Sequence, residues 1–105
     1  MIINLTDDNF ENEILQGEKL ALVDFYANWC GPCKMMSPVI DAISEELGDK
    51  IKVGKVDVDE CERVAMMFRI MSIPTIMLIK KGEVLKTFIG VTSKDKLLAE
   101  IENNI

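Results

Sequence analysis

From Leu20 to Ala27 the chain reads Leu-Ala-Leu-Val-Asp-Phe-Tyr-Ala, apolar at nearly every position and closed by Asn28. A run this short and this continuously apolar predicts a buried strand. Beyond it, Met36, Val39, Ile40, Ile43 and Leu47 recur at steps of three, one, three and four, the stripe of an amphipathic helix that Gly48 should stop. Pro38 falls inside that helix, where it removes a backbone hydrogen bond and should kink the chain near Met35. Upstream, Ile2, Ile3 and Leu5 predict an opening strand. Thr6 is placed to cap a helix reaching about Leu15, with Asp7 and Asp8 at its positive end, Phe10 and Ile14 on its apolar edge, and Gly17 ending it. Downstream, Ile51 to Val58 predicts a third strand and Glu60 to Phe68 a short helix carrying Val64, Ala65 and Phe68. Thr75 to Ile79 and Val84 to Ile89 read as strands close enough, across Lys80-Lys81-Gly82-Glu83, to form a hairpin. Thr92 or Ser93 caps a last helix with Leu97, Leu98 and Ile101 on its apolar side, and the Thr92 to Asp95 spacing fits a capping box.

That order fixes a class. Strands alternating with helices over the first three-quarters call for parallel pairing through right-handed crossovers, and the hairpin adds an antiparallel edge. The expected fold is α/β, a mixed sheet with helices on both faces, spanning residues 1–105 as one domain. The 105 residues are 49% hydrophobic and 29% charged, which is globular rather than disordered. A net charge of −6 argues against nucleic acid and anionic membranes as partners. No apolar run approaches the ~20 residues that cross a bilayer, and the first residues show no basic start with a long apolar stretch. With three cysteines and no visible signal peptide, the expected compartment is the reducing cytoplasm, where a cysteine pair is catalytic or metal-binding more often than structural. The absence of histidine removes Ser-His and Cys-His hydrolases.

The candidate chemistry sits in Trp29-Cys30-Gly31-Pro32-Cys33, at the junction of the buried strand and the long helix. Pro32 suits a first helical turn, and the unpaired N–H groups there point at a sulfur, stabilising its thiolate. Cys30 is therefore the candidate nucleophile, expected to be exposed, with Lys34 adding positive charge. Cys33, one turn in and expected to be more buried, would attack Cys30 and release the reduced product. The competing reading is half of a metal site. Zinc wants four ligands, and Cys61 is the only further thiol, so no metal or other cofactor is expected. Asp24, mid-strand with apolar neighbours on both faces, should be buried with a raised pKa. It is either a proton acceptor for Cys33 or a member of a structural ion pair with Lys55. The seven methionines read as core filling, and Cys61 as a buried or incidental thiol.

The chain resembles the thioredoxin family. Val23-Asp24-Phe25, Trp29-Cys30-Gly31-Pro32-Cys33-Lys34, Pro38, Lys55-Val56-Asp57, Ile73-Pro74-Thr75, Lys81-Gly82 and Gly90 follow in the family's order and spacing across nearly the whole sequence. A lone Cys-x-x-Cys is weak evidence, whereas this string with a matching Ile-Pro-Thr downstream is highly specific. The resemblance implies a central five-stranded mixed sheet flanked by four helices. It also implies a thiol–disulfide oxidoreductase that reduces protein disulfides through Cys30 and Cys33, with Asp24 and Lys55 assisting. A cis proline at Pro74 is implied, facing the cysteines. Trp29, Gly31, Pro32, Ile73, Gly90 and Val91 would form a shallow docking surface for protein substrates, although Val91 also reads as ordinary core. The implied electron donor is a thioredoxin reductase, and the protein is expected to be a monomer. Tyr26 stands where many members of that family carry a second tryptophan. The alternatives are a disulfide oxidase or isomerase, and a non-catalytic module that docks partners through the same surface. The Gly-Pro between the cysteines counts against the first and the presence of both cysteines against the second.

Overall fold

The computed structural model describes all 105 residues. Five strands, β1 (Ile2–Leu5), β2 (Ala21–Tyr26), β3 (Lys52–Asp57), β4 (Thr75–Lys80) and β5 (Glu83–Ile89), form one sheet in the order β1-β3-β2-β4-β5. β1 and β2 each run parallel to β3, while β4 is antiparallel to both β2 and β5. β2 is thus the central strand, paired on both edges, which is why its sequence is apolar on both faces.

Alternation along β2 divides the core into two layers. Leu20 and Leu22 face Met36, Ile40 and Ile43 of helix α1 (Gly31–Leu47) and Leu97 and Ile101 of helix α3 (Lys94–Asn104). Ala21, Val23 and Phe25 face Phe10, Ile14 and Val64, contributed by the first helical segment and by helix α2 (Glu62–Met67). Leu22, Phe25, Met36 and Ile40 are fully buried, each contributing about 1.5–3 kcal/mol relative to exposure. α1 carries the expected stripe and runs unbroken through Pro38 to Gly48, whose φ of +52° ends it.

Local chemistry departs from expectation in three places. The first helical segment, Glu11–Leu15, is of the wide form, closed by a Gln16 N–H to Glu11 carbonyl bond of 2.9 Å. Its N-cap is Phe10 with no side-chain cap, and Thr6 instead closes the turn before it: the Thr6 hydroxyl accepts from Asn9 N–H at 3.1 Å while the Asn9 side chain accepts from Thr6 N–H at 2.7 Å. The last helix is capped by Ser93, whose hydroxyl accepts from Lys96 N–H at 3.2 Å, and not by a Thr92–Asp95 box. Thr92 instead turns its hydroxyl to the Gly90 carbonyl. Met66, Met67 and Met71 are exposed, leaving Met36 and Met77 as the methionines that fill core. α2 has only six residues, and its one buried position, Val64, uses up the inward face.

The hairpin turn places Lys81 at φ +52° and Gly82 at φ +80°, two left-handed residues in succession that match the twist of β4 and β5. α2 is capped from a distance: Asp7 accepts from Val64 N–H at 3.0 Å and Arg63 N–H at 3.4 Å. Asp7→Ala is expected to cost about 1 kcal/mol, read as a lower denaturant midpoint with an unchanged slope.

Candidate active site

Backbone geometry brings the cysteines to the end of the central strand. Cys30 is the N-cap of α1, extended at φ −90° and ψ 112°, with Pro32 in the first turn. Its Sγ accepts from the Cys33 N–H at 3.2 Å, so a free backbone donor of the helix terminus is spent on this sulfur. Cys30 and Cys33 are joined as a disulfide, with Cα atoms 5.3 Å apart. A thiolate on Cys30 would keep both the amide contact and the positive end of the helix. The expected contrast in exposure is absent, since both cysteines are 4% exposed. Val58 and Ile73 pack against the pair, and the Cys30 sulfur lies 3.9 Å from the Ile73 carbonyl oxygen. That loop is what closes over Cys30.

Asp24 lies in the same layer as Leu20 and Leu22 and is 1% exposed, with neither carboxylate oxygen hydrogen-bonded. Burial pushes its pKa from 3.8 up to about 6, against a smaller downward pull from Lys55. Lys55 pairs in register with Asp24 across β2 and β3. Even so, it is not the direct ion-pair partner the sequence allowed. Its ammonium donates to the Ser37 hydroxyl at 3.1 Å and lies 5.1 Å from the Tyr26 ring centroid. Cys33, Ser37, Lys55, Lys34, Tyr26 and Asn28 line a cleft of about 160 Å³.

The face around the disulfide is apolar and open. Trp29 is 71% exposed yet held in place, its indole N–H donating to Asp59 at 2.8 Å. Gly31 and Pro32 are exposed at the start of α1. The Ile73–Pro74 peptide is cis, and Pro74 is buried while Ile73 is half-buried. The Pro74 carbonyl accepts from Gly90 N–H at 2.8 Å, and Gly90 at φ +90° takes a conformation that other residues rarely adopt. Val91 is 53% exposed, which removes the core reading for it. Trp29, Val58, Ile70, Met71 and Ile73 line a shallow apolar cleft beside Cys30.

Three participants escaped sequence reasoning. Asp59 fixes Trp29, and its position just past β3, at the same sheet end as Cys30, was the available signal. Ser37 lies four residues after Cys33, hence on its face of α1. Met71 was read as core and is fully exposed on the cleft. Cys61 belongs to the opposite core layer, where its thiol donates to the Leu5 carbonyl at 3.5 Å. Burial foremost, then the nearby Asp7 and Asp57, pushes its pKa up, so it is an unreactive thiol.

Comparison with known proteins agrees with this geometry. The family model described as Thioredoxin matches residues 1–103. A protein named Thioredoxin from Rickettsia prowazekii (strain Madrid E) is 50% identical over 105 residues, covering all of both chains. Thioredoxin C-2 of Corynebacterium nephridii is 43% identical over 104 residues, covering 99% of this chain and 96% of its own. A protein named Thioredoxin from Buchnera aphidicola subsp. Acyrthosiphon pisum shows the same identity and coverage.

Proposed function

Because this chain belongs to the thioredoxin family and carries a cysteine pair that closes as a disulfide, it is a thiol–disulfide oxidoreductase acting on protein disulfides, and we propose the following division of labour within it. The Cys30 thiolate attacks one sulfur of a substrate disulfide, displacing the other as a thiolate and leaving a mixed disulfide. Asp24 accepts the Cys33 proton, directly or through water in the adjoining cleft. The Cys33 thiolate then attacks Cys30 and the second substrate thiolate leaves. The substrate has gained two electrons, and the protein has lost them in closing the Cys30–Cys33 disulfide. Lys55 supplies the positive charge that keeps Asp24 able to ionise. The observation that carries this reading is the Cys30 sulfur seated on the Cys33 amide at the helix terminus, beside an open apolar face.

Trp29, Gly31, Pro32, Ile73, Gly90 and Val91 form the docking surface, and Met71 extends it. An extended substrate segment lies along the Ile73 backbone, adding a short strand. No bound cofactor takes part. A thioredoxin reductase restores the dithiol, and the 105 residues work as one monomeric domain in the cytoplasm. No helix is long and apolar enough to cross a membrane.

Two measurements test this. With a thioredoxin reductase and its electron donor present, insulin disulfides should be reduced, and Cys30→Ser should abolish the reaction; insulin left intact by the unmodified protein overturns the reading. Ile73→Asp places a charge on the docking surface and leaves both cysteines present. It should lower kcat/KM for insulin by roughly tenfold or more while leaving the reaction with the small disulfide DTNB near its original rate. Equal losses on both substrates would show that Ile73 supports the fold and not docking.

A further inference from the structure

We propose that Ser37 is a positioning residue for the resolving step, holding the Lys55 ammonium inside the cleft onto which Cys33 opens. The inference rests on the reading that Asp24 accepts the Cys33 proton. α1 places Cys33 and Ser37 one turn apart on one face, and both line the cleft with Lys55. A lysine ammonium is a compact, strongly hydrated charge on a flexible stem, and left to itself it extends into water. Here two contacts keep it in. Its one hydrogen-bond acceptor in the protein is the Ser37 hydroxyl at 3.1 Å, and the Tyr26 ring lies beneath it at 5.1 Å. Asp24 offers no bond, because both its oxygens are unpartnered.

What surrounds Asp24 makes the position of that charge matter. From β4, the residue in register is Ile76. α1 contributes Met36 and Ile40, and α3 contributes Leu97 and Ile101, all apolar members of the same layer. The titratable groups on the cleft side are Tyr26 of β2, Lys55 of β3, and Cys33 and Lys34 of α1, with Asp57 at the end of β3 acting on Tyr26. Lys34 is exposed, so Lys55 is the cation nearest the buried carboxylate, paired with it in register. Its ammonium makes Asp24 easier to ionise. Released from Ser37, the ammonium moves outward, and Asp24 becomes harder to deprotonate, leaving less carboxylate to accept the Cys33 proton. The chemistry is unchanged in its balance: the thiol proton still passes to a carboxylate and the same sulfur–sulfur bond closes. Only the pH at which it proceeds moves.

The experiment follows the two steps of thionitrobenzoate release when the reduced protein meets DTNB: the first from attack by Cys30, the second from resolution by Cys33. Ser37→Ala should slow the second step roughly threefold to tenfold at pH 6 and converge on the unmodified protein by about pH 9, an upward shift of half to one pH unit. Ser37→Thr keeps the acceptor and should restore the profile. In a Lys55→Met background, Ser37→Ala should add nothing. A Ser37→Ala profile that superimposes on the original, a loss equal at every pH, or the same loss in the Lys55→Met background overturns the proposal. Asp24→Asn is measured alongside. A profile it leaves unmoved overturns the acceptor reading, whereas one moved by Asp24→Asn and not by Ser37→Ala overturns the role of Ser37 alone.

Discussion

With Cys33 replaced by serine, the protein is expected to remain covalently joined through Cys30 to the proteins it attacks. The first exchange needs only a Cys30 thiolate, which the backbone amide at position 33 and the helix terminus still stabilise, since the substitution leaves that N–H in place. The second exchange needs a sulfur one turn away, and the serine hydroxyl cannot displace a thiolate. Turnover of insulin should fall by roughly 100-fold or more, while a one-to-one mixed disulfide accumulates and is resolved by added dithiothreitol. Cys30→Ser should give no such adduct, because Cys33 lacks the helix-terminal amide contact that the Cys30 sulfur has and Cys61 is buried in the other layer with a raised pKa. Adducts recovered equally from both variants would remove the distinction between attacking and resolving thiols.

The second large effect concerns Asp24, where stability and rate should move in opposite directions. The carboxyl has a folded pKa of about 6 against 3.8 for the ordinary group, and burial is the main cause. Below about pH 4 it is protonated in both folded and unfolded chains, and pH contributes nothing to the difference. Between those values the folded chain holds a proton that the unfolded chain has lost, so stability falls as pH rises; above about 6 the penalty is complete. A shift of this size corresponds to roughly 3 kcal/mol. Asp24→Asn should therefore gain stability relative to the unmodified oxidised protein, the gain growing by about that amount between pH 4 and pH 8, read from denaturant midpoints. Resolution of the mixed disulfide should slow on the order of 100-fold at neutral pH, because the Cys33 proton has lost its nearby acceptor. A variant less stable at every pH that resolves at the original rate would make Asp24 a structural group only.

Legibility followed the length of each signal. β2 and α1 were readable because a nearly unbroken apolar run and a five-position stripe admit few alternatives, and these two elements place Cys30. Both expectations for Asp24, burial and a raised pKa, came from the same run. The exposure of Met66 and Met67 was not readable, because a six-residue helix is too short to show which face is inward, and Met71 follows it in a loop that has no periodicity to read. The burial of Cys30 depends on a loop 43 residues away, and no local pattern announces that Ile73 will lie over it. Register was equally hidden: sequence suggested Asp24 and Lys55 as partners, and they are neighbours across β2 and β3, but the hydroxyl of Ser37 on a different element takes the ammonium.

The measurement closest to the central claim is a redox stoichiometry. The reduced protein, freed of small thiols, is mixed with excess insulin, and the disulfides lost and formed are located by mass spectrometry of alkylated peptides. One insulin disulfide should be reduced per protein molecule, with a new disulfide between Cys30 and Cys33 and Cys61 still alkylated only after unfolding. Insulin left intact, or a product disulfide that includes Cys61, would contradict the account.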